Sequence, residues 1–225
     1  MQIEQQQLKV WENADVVAQW PNGKLKKLQV HDVPVPIVVT GPWSLTFPPG
    51  WDAPEHVRYE ELRSWTESED FGIKYFSGTV RYENQLIVPR ERLAEGLRLV
   101  LDLGDVRELC RVHINGKQVA TQWKSPFRLD ITSMVKAGKN SLVVEVTNLW
   151  TNRLIGDEQF PDDMGWNGAQ LKAWPDWFVN HAPRPEPRRK TFTTWRHNFK
   201  DTPLLPSGLI GPVLLRSVRV VKVPR

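Results

Sequence analysis

Apolar residues recur at every second position in three short runs of this chain: Leu99, Leu101 and Leu103; Val112 and Ile114; Leu142, Val144 and Val146. A period of two places these side chains on one face of an extended strand and their neighbours on the other, so each run is a half-buried strand. Asn115-Gly116 falls just after the second run. That dipeptide marks a two-residue hairpin, because a type I′ turn needs positive φ at both central positions and Asn and Gly tolerate it. Ser125-Pro126 and Ala137-Gly138 punctuate the remainder. The segment from 99 to 157 therefore reads strand, hairpin, strand, polar crossover, strand. That order implies an all-β chain folded as an antiparallel β-sandwich.

The same reasoning extends outward. Strands are expected at 43–47, 72–83, 97–103, 109–115, 118–121, 141–148 and 212–222. Residues 1–36 carry two short runs (Val16-Val17-Ala18 and Leu28-Gln29-Val30) around Asn22-Gly23, before Pro34 and Pro36 interrupt the pattern. This piece is expected to be an N-terminal hairpin or the tail of a preceding domain, with the sandwich occupying 37–225. A chain of 225 residues suits one large sandwich. A core of that size needs no staples. The single cysteine, Cys110, excludes an internal disulfide and sits on a strand as a buried, inert thiol rather than a reactive one. No run approaches the ~18 apolar residues of a membrane span. The opening MQIEQQQLKVWENADVV has neither a basic n-region nor an apolar h-region, so no signal peptide is read there. Two alternatives stay open: a cytoplasmic protein, or a module excised from a larger parent, for which secretion or a periplasmic location is expected.

The order of parts resembles the sugar-binding, galactose-binding-like jelly-roll domain of glycoside hydrolase family 2. The residues that carry the resemblance are the Leu-Asp-Leu-Gly strand end at 101–104, Val112-His113-Ile114-Asn115-Gly116-Lys117, Pro126-Phe127-Arg128-Leu129-Asp130-Ile131-Thr132, Ala137-Gly138-Lys139-Asn140-Ser141-Leu142 and Val146-Thr147-Asn148. Agreement is closer with the C-terminal sugar-binding domain of family 106 α-L-rhamnosidases. It takes in Gly41-Pro42-Trp43, Phe47 to Trp51, Ser64-Trp65-Thr66, Gly72 to Thr79, Asn148 to Asp157 and Pro206 to Pro212. It covers roughly 37–220. In such enzymes the catalytic carboxylates stand on a separate barrel domain, and no βα repeat that could build one occurs here. The resemblance also implies that the loop after the last well-matched strand reaches toward a sugar. By position it makes Asn152, Arg153 and Asp157 polar sugar contacts. The competing reading is an internal network in which Arg153 pairs with Asp157 and Asn148 caps a turn.

Residues 151–206 are Pro- and Trp-rich with little periodicity, and loops of that length are frequently functional. The chain has 11 Trp against 3 Tyr. An indole offers apolar area and a π face to the C–H face of a pyranose, while nearby amides, carboxylates and arginines bind the hydroxyls. Trp150, Trp166, Trp174, Trp177 and Trp195 are accordingly the aromatic sugar-binding candidates, interleaved with Asp162, Asp163, Asn167, Gln170 and Asp176. The alternative is that these indoles only pack the loop onto the sandwich.

Two carboxylates are the machinery of glycoside hydrolysis. The loop clusters Asp157/Glu158, Asp162/Asp163 and Glu67/Glu69/Asp70 keep open an alternative in which the chain is a small stand-alone hydrolase or lyase. Asp157, Asp162 and Asp163 are also candidate ligands of a structural Ca²⁺, an ion that takes six to eight oxygens. The five His lack the spacing of a zinc site. Six cations against Glu186 alone between His181 and Lys200 make a basic stripe. With Trp beside it this suggests nucleic acid, but no nucleic-acid fold motif accompanies it. Uronate-containing polysaccharide is the better match, and a solvated loop the plainer one. The expectation is a module without catalysis of its own that binds plant cell-wall polysaccharide, pectic and rhamnose- or uronate-containing. Its other partner is a catalytic domain in a parent protein, and a third alternative is a domain that only buttresses that missing barrel.

Overall fold

The computed structural model describes residues 2–4, 7–19, 23 and 25–222. Two antiparallel sheets face each other. The first runs Lys117–Gln122, Leu109–Ile114, Gly138–Thr147, Thr79–Val88, Trp43–Thr46, His56–Tyr59. The second runs Gln2–Glu4, Gln7–Val10, Leu214–Lys222, Leu97–Asp102, Arg128–Asp130, with Ile37–Val38 also paired to Leu214–Lys222. The fold is thus the all-β sandwich that the alternation implies. Leu99, Leu101 and Leu215 of the second sheet meet Val80, Tyr82, Val112, Leu142, Val144 and Val146 of the first in one buried core. The intervening residues of the first sheet turn outward and pair charges across strands, as Arg81 and Arg111 do with Glu145. Asn115 and Gly116 have φ of 51° and 78°, the double positive φ of the expected I′ turn.

Two expected elements differ. Residues 72–83 are not one strand: Phe71–Lys74 form a single helical turn, and the strand starts at Thr79 and runs on to Val88. The reason is Asp70, whose Oδ1 accepts from the Ile73 amide at 3.0 Å and caps the turn. The polar crossover after Gln122 also contains Arg128–Asp130, which crosses to the second sheet and pairs with Leu97–Asp102.

At the N-terminus Ala14–Gln19 pairs with Leu25–Val30. Gly23 has φ of 81°, whereas Asn22 lies outside the described residues. Leu8, Val10, Val16, Val30 and Val33 bury one another in a small cluster separate from the main core. Cys110 is a free, buried thiol. Among the described residues no helix is long and apolar enough to cross a membrane.

Candidate functional site

The strand Gly138–Thr147 delivers the chain into a turn that Asn148 closes. Its Oδ1 accepts from the Gly78 amide at 2.9 Å, while Nδ2 donates to Phe76 O at 2.9 Å and Ser207 Oγ at 3.1 Å. The aperiodic stretch then opens with a helix, Thr151–Asp157. Sequence periodicity missed it, because two turns are too short to show an amphipathic repeat. The helix lies so close to Tyr75 that a Cβ on Gly156 would stand 2.6 Å from Tyr75 Cβ. Only glycine fits there.

That contact sinks the inward face of the helix. Asn152 Nδ2 donates to Leu205 O at 2.7 Å and to Ser207 Oγ at 2.8 Å, and its Oδ1 accepts from the Leu205 amide at 2.9 Å. Asn152 therefore pins the returning chain. Arg153 is fully buried and donates from Nε (2.9 Å) and Nη2 (2.6 Å) to Asp157 Oδ1. The other oxygen of Asp157 accepts from Lys190 N, Thr191 N and Thr191 Oγ1 at 2.7–2.9 Å. Asp157 is thus saturated by five donors. The Arg153–Asp157 pair and the turn closed by Asn148 are the internal network that stood as the alternative, and Asn152, placed by resemblance on a sugar, adds its hydrogen bonds to Leu205 and Ser207.

The rest of the excursion is held in the same way. Glu158 receives Arg189 Nη1 at 3.2 Å and Arg196 Nε at 2.8 Å. Asp163 receives Arg184 Nε at 2.5 Å, and Asp162 Oδ2 lies 3.2 Å from Arg196 Nη2. Arg189, nearly buried, also donates to Pro161 O and Phe160 O. The Glu186 carboxyl is pulled down to about 2, chiefly by hydrogen bonds from the Arg188 side chain and against desolvation. Most of the stripe that reads as basic in sequence is paired in place: Arg184, Arg189 and Arg196 with Asp163 and Glu158, Arg188 with Glu186 and Lys190 with Asp52. Those carboxylates are correspondingly committed. Among the described residues no group of three or more His, Cys, Asp or Glu is arranged to hold a metal ion. Asp157, Asp162 and Asp163 face arginines rather than one another, so the Ca²⁺ expectation has no supporting geometry.

The excursion also presents aromatic rings. Trp174 is 56% exposed and lies nearly parallel to Phe178 (5.4 Å between centroids) and Phe192 (5.8 Å). Phe178 and Phe192 stack at 4.6 Å. Trp177 meets both edge-on, half-buried, with the Arg184 guanidinium 5.1 Å above its ring and its Nε1 donating to Asp163 O at 3.4 Å. Trp166, also half-buried, carries Arg196 at 5.4 Å. Trp195 (49% exposed) follows Thr193 along a cleft shared with Trp166, His197 and Asn198. Trp150 is 67% exposed at the helix entrance. Of the five candidate indoles, then, Trp150, Trp174 and Trp195 face solvent, and Trp166 and Trp177 are props under arginines. Sequence reading missed Phe178 and Phe192. Their signal was present in a run of aromatics too dense for a solvated loop.

Comparisons with known proteins agree with this picture. Residues 9–171 match the family model described as glycosyl hydrolases family 2, sugar binding domain. A curated protein of Formosa agariphila named "Putative beta-glucuronidase" is 47% identical over 192 residues, covering 85% of this chain and 16% of that protein. Among solved structures, the rhamnosidase from Novosphingobium sp. PP1Y is 34% identical with a TM-score of 0.62, again covering 85% of this chain and 16% of the other. The chain spans about one sixth of the length of these relatives.

Proposed function

The chain belongs to the sugar-binding domain family of the family 2 glycosyl hydrolases, and from that premise we propose that it is the carbohydrate-binding unit of a larger glycoside-hydrolase-like protein. The ligand is a plant cell-wall polysaccharide, pectic and rhamnose- or uronate-containing, met by the aromatic surface of residues 158–204. The observation that carries this reading is the stack of exposed Trp174 and Phe178 on half-buried Phe192, on an excursion whose arginines are paired internally. Such a loop presents rings to a ligand, not charges. An exposed indole supplies apolar area to a pyranose face at ~25 cal/mol per Å². The same commitments weigh against an acid–base pair here, since a general acid or base must be able to reach substrate.

Trp174→Ala and Trp195→Ala test the proposal in affinity gels containing pectic polysaccharides. Both side chains are about half exposed, so the variants should keep a near-native melting temperature and lose glycan retention. Retention by both variants equal to that of the unaltered protein would leave the domain as a buttress for a catalytic neighbour. Release of reducing ends by the pure protein, surviving removal of these indoles, would replace binding with catalysis.

A further inference from the structure

The arginines of the excursion are spent on carboxylates, so an exposed guanidinium without an ion pair has to be sought elsewhere. A second groove lies on the outer face of the sheet containing Leu97–Asp102. Cross-strand partners share a face, and the register aligns Arg98 with Val218, Val100 with Arg216 and Asp130, and Lys9 with Val220. Val100 and Val218 form a buried apolar floor, with Trp11 and Pro126 at the sides. Arg128 is fixed at 2.9 Å on Asp102 and lies 5.2 Å over the Trp11 ring. Asp102 also accepts Arg216 at 2.8 Å, so its charge is fully answered. Asp130 Oδ1 accepts from Thr132 N and Oγ1. Arg98 is exposed and, among the described residues, its side chain has no hydrogen bond or ion pair.

We propose that this groove is an anionic-sugar subsite, in which Arg98 takes the carboxylate of a uronate residue while the ring packs on Trp11 and the valine floor. It rests on the reading of the chain as a carbohydrate-binding unit. Charge complementarity names the occupant: Arg98 and Arg128 line the groove against the single carboxylate of Asp130. The guanidinium fork matches a carboxylate bidentately, and the free fork belongs to Arg98. The space, about 250 Å³, equals roughly eight waters at ~30 Å³ each, the size of one sugar ring.

The test is retardation in gels containing polygalacturonate, or the same polymer after reduction of its carboxyls to neutral galactose units. Unaltered protein should be retarded by the acid polymer and less by the reduced one. Arg98→Gln, which removes no hydrogen bond or ion pair from the fold, should weaken retention on polygalacturonate about tenfold to a hundredfold, as loss of one charge-assisted hydrogen-bond pair predicts. Arg98→Lys should restore part of it. In ¹H–¹⁵N spectra the Trp11 indole should shift with oligogalacturonate, and should not shift in Arg98→Gln. If Arg98→Gln binds like the unaltered protein while Trp174→Ala does not bind, the groove is overturned and the loop site stands. The opposite pattern upholds the groove and removes the loop site. Equal competition by polyglutamate would show that the groove reads charge alone, which overturns the sugar assignment. No retention by either polymer would remove both.

Discussion

Tyr82 shows how much a single buried phenol holds. It sits in the core with its hydroxyl accepting from Trp65 Nε1 at 2.5 Å and from the Leu209 amide at 3.1 Å. One oxygen thereby satisfies two buried donors from different parts of the chain, and burial pushes its pKa well above the ordinary phenol value. Tyr82→Phe keeps the ring and strands both N–H groups. A buried unsatisfied donor costs ~1–3 kcal/mol, so urea denaturation should show about 2–5 kcal/mol of lost stability with an unchanged slope. A loss under about 0.5 kcal/mol would mean that the donors find other acceptors. Cys110 makes a second prediction. Burial pushes its thiol up to about 11, against a smaller opposing pull from the backbone hydrogen bond at Gln122. An acid whose folded pKa is raised contributes stability that is complete below the unfolded thiol pKa of about 8.5 and is lost as pH rises toward the folded value. Thermal stability should therefore fall between about pH 9 and 11, and Cys110→Ala should flatten that part of the profile. A thiol reagent should modify the native protein no faster than it unfolds.

At the scale of elements, the sandwich strands were legible and the excursion was not, for one physical reason. A strand half-buried in a sheet writes its burial into the sequence at period two, as Leu99-Leu101-Leu103 and Leu142-Val144-Val146 do. The helix Thr151–Asp157 is buried on residues that periodicity does not count: Asn152, Arg153 and Asp157 are polar, and although Arg153 and Asp157 pair locally, Asn152 and the second Asp157 oxygen depend on partners more than thirty residues away. Asp70 shows a subtler failure, since one capping carboxylate turned an apolar run into a helical turn. The candidate site was half legible. Aromatic density pointed to the right stretch, but nothing local could tell exposed Trp174 from Trp177 under Arg184. The opposite charges at Glu158, Asp162 and Asp163 and at Arg184, Arg189 and Arg196 did carry a readable signal. An aperiodic stretch of that length needs staples, and these are its staples. Glu158→Gln preserves shape while removing the charge that Arg189 and Arg196 share. If each pair is a staple, residues 184–200 should open more often, and trypsin should cut there about tenfold faster, the ratio for ~1.4 kcal/mol of local opening. The melting temperature of the sandwich should hardly move, because the main core lies elsewhere. Unchanged proteolysis would show that the backbone-carbonyl acceptors of Arg189 and the Asp162 contact of Arg196 suffice.

At the scale of the whole molecule, the two hydrophobic clusters decide how the chain divides. The main core draws on residues from Val39 to Leu215, and the small one on Leu8, Val10, Val16, Val30 and Val33. Among the described residues the ladder that joins them pairs Gln7–Val10 with Arg219–Lys222. Ile37–Val38 pairs with Leu214–Leu215 on the same long strand and would survive removal of residues 1–36. A protein starting at residue 37 should thus keep its two-sheet core and give a cooperative transition at a modestly lower temperature. It would also gain a defect. Arg219–Lys222 would become an uncovered edge, and an unpaired edge strand is a template for association. The groove beside Arg98 would lose Lys9 and Trp11 with the deleted strand, while the Trp174 stack would remain. The truncated chain should therefore bind neutral pectic side chains as the full chain does and lose its preference for polygalacturonate, with concentration-dependent association in sedimentation. Failure to fold at all would mean that residues 1–36 are integral to the sandwich rather than an added hairpin.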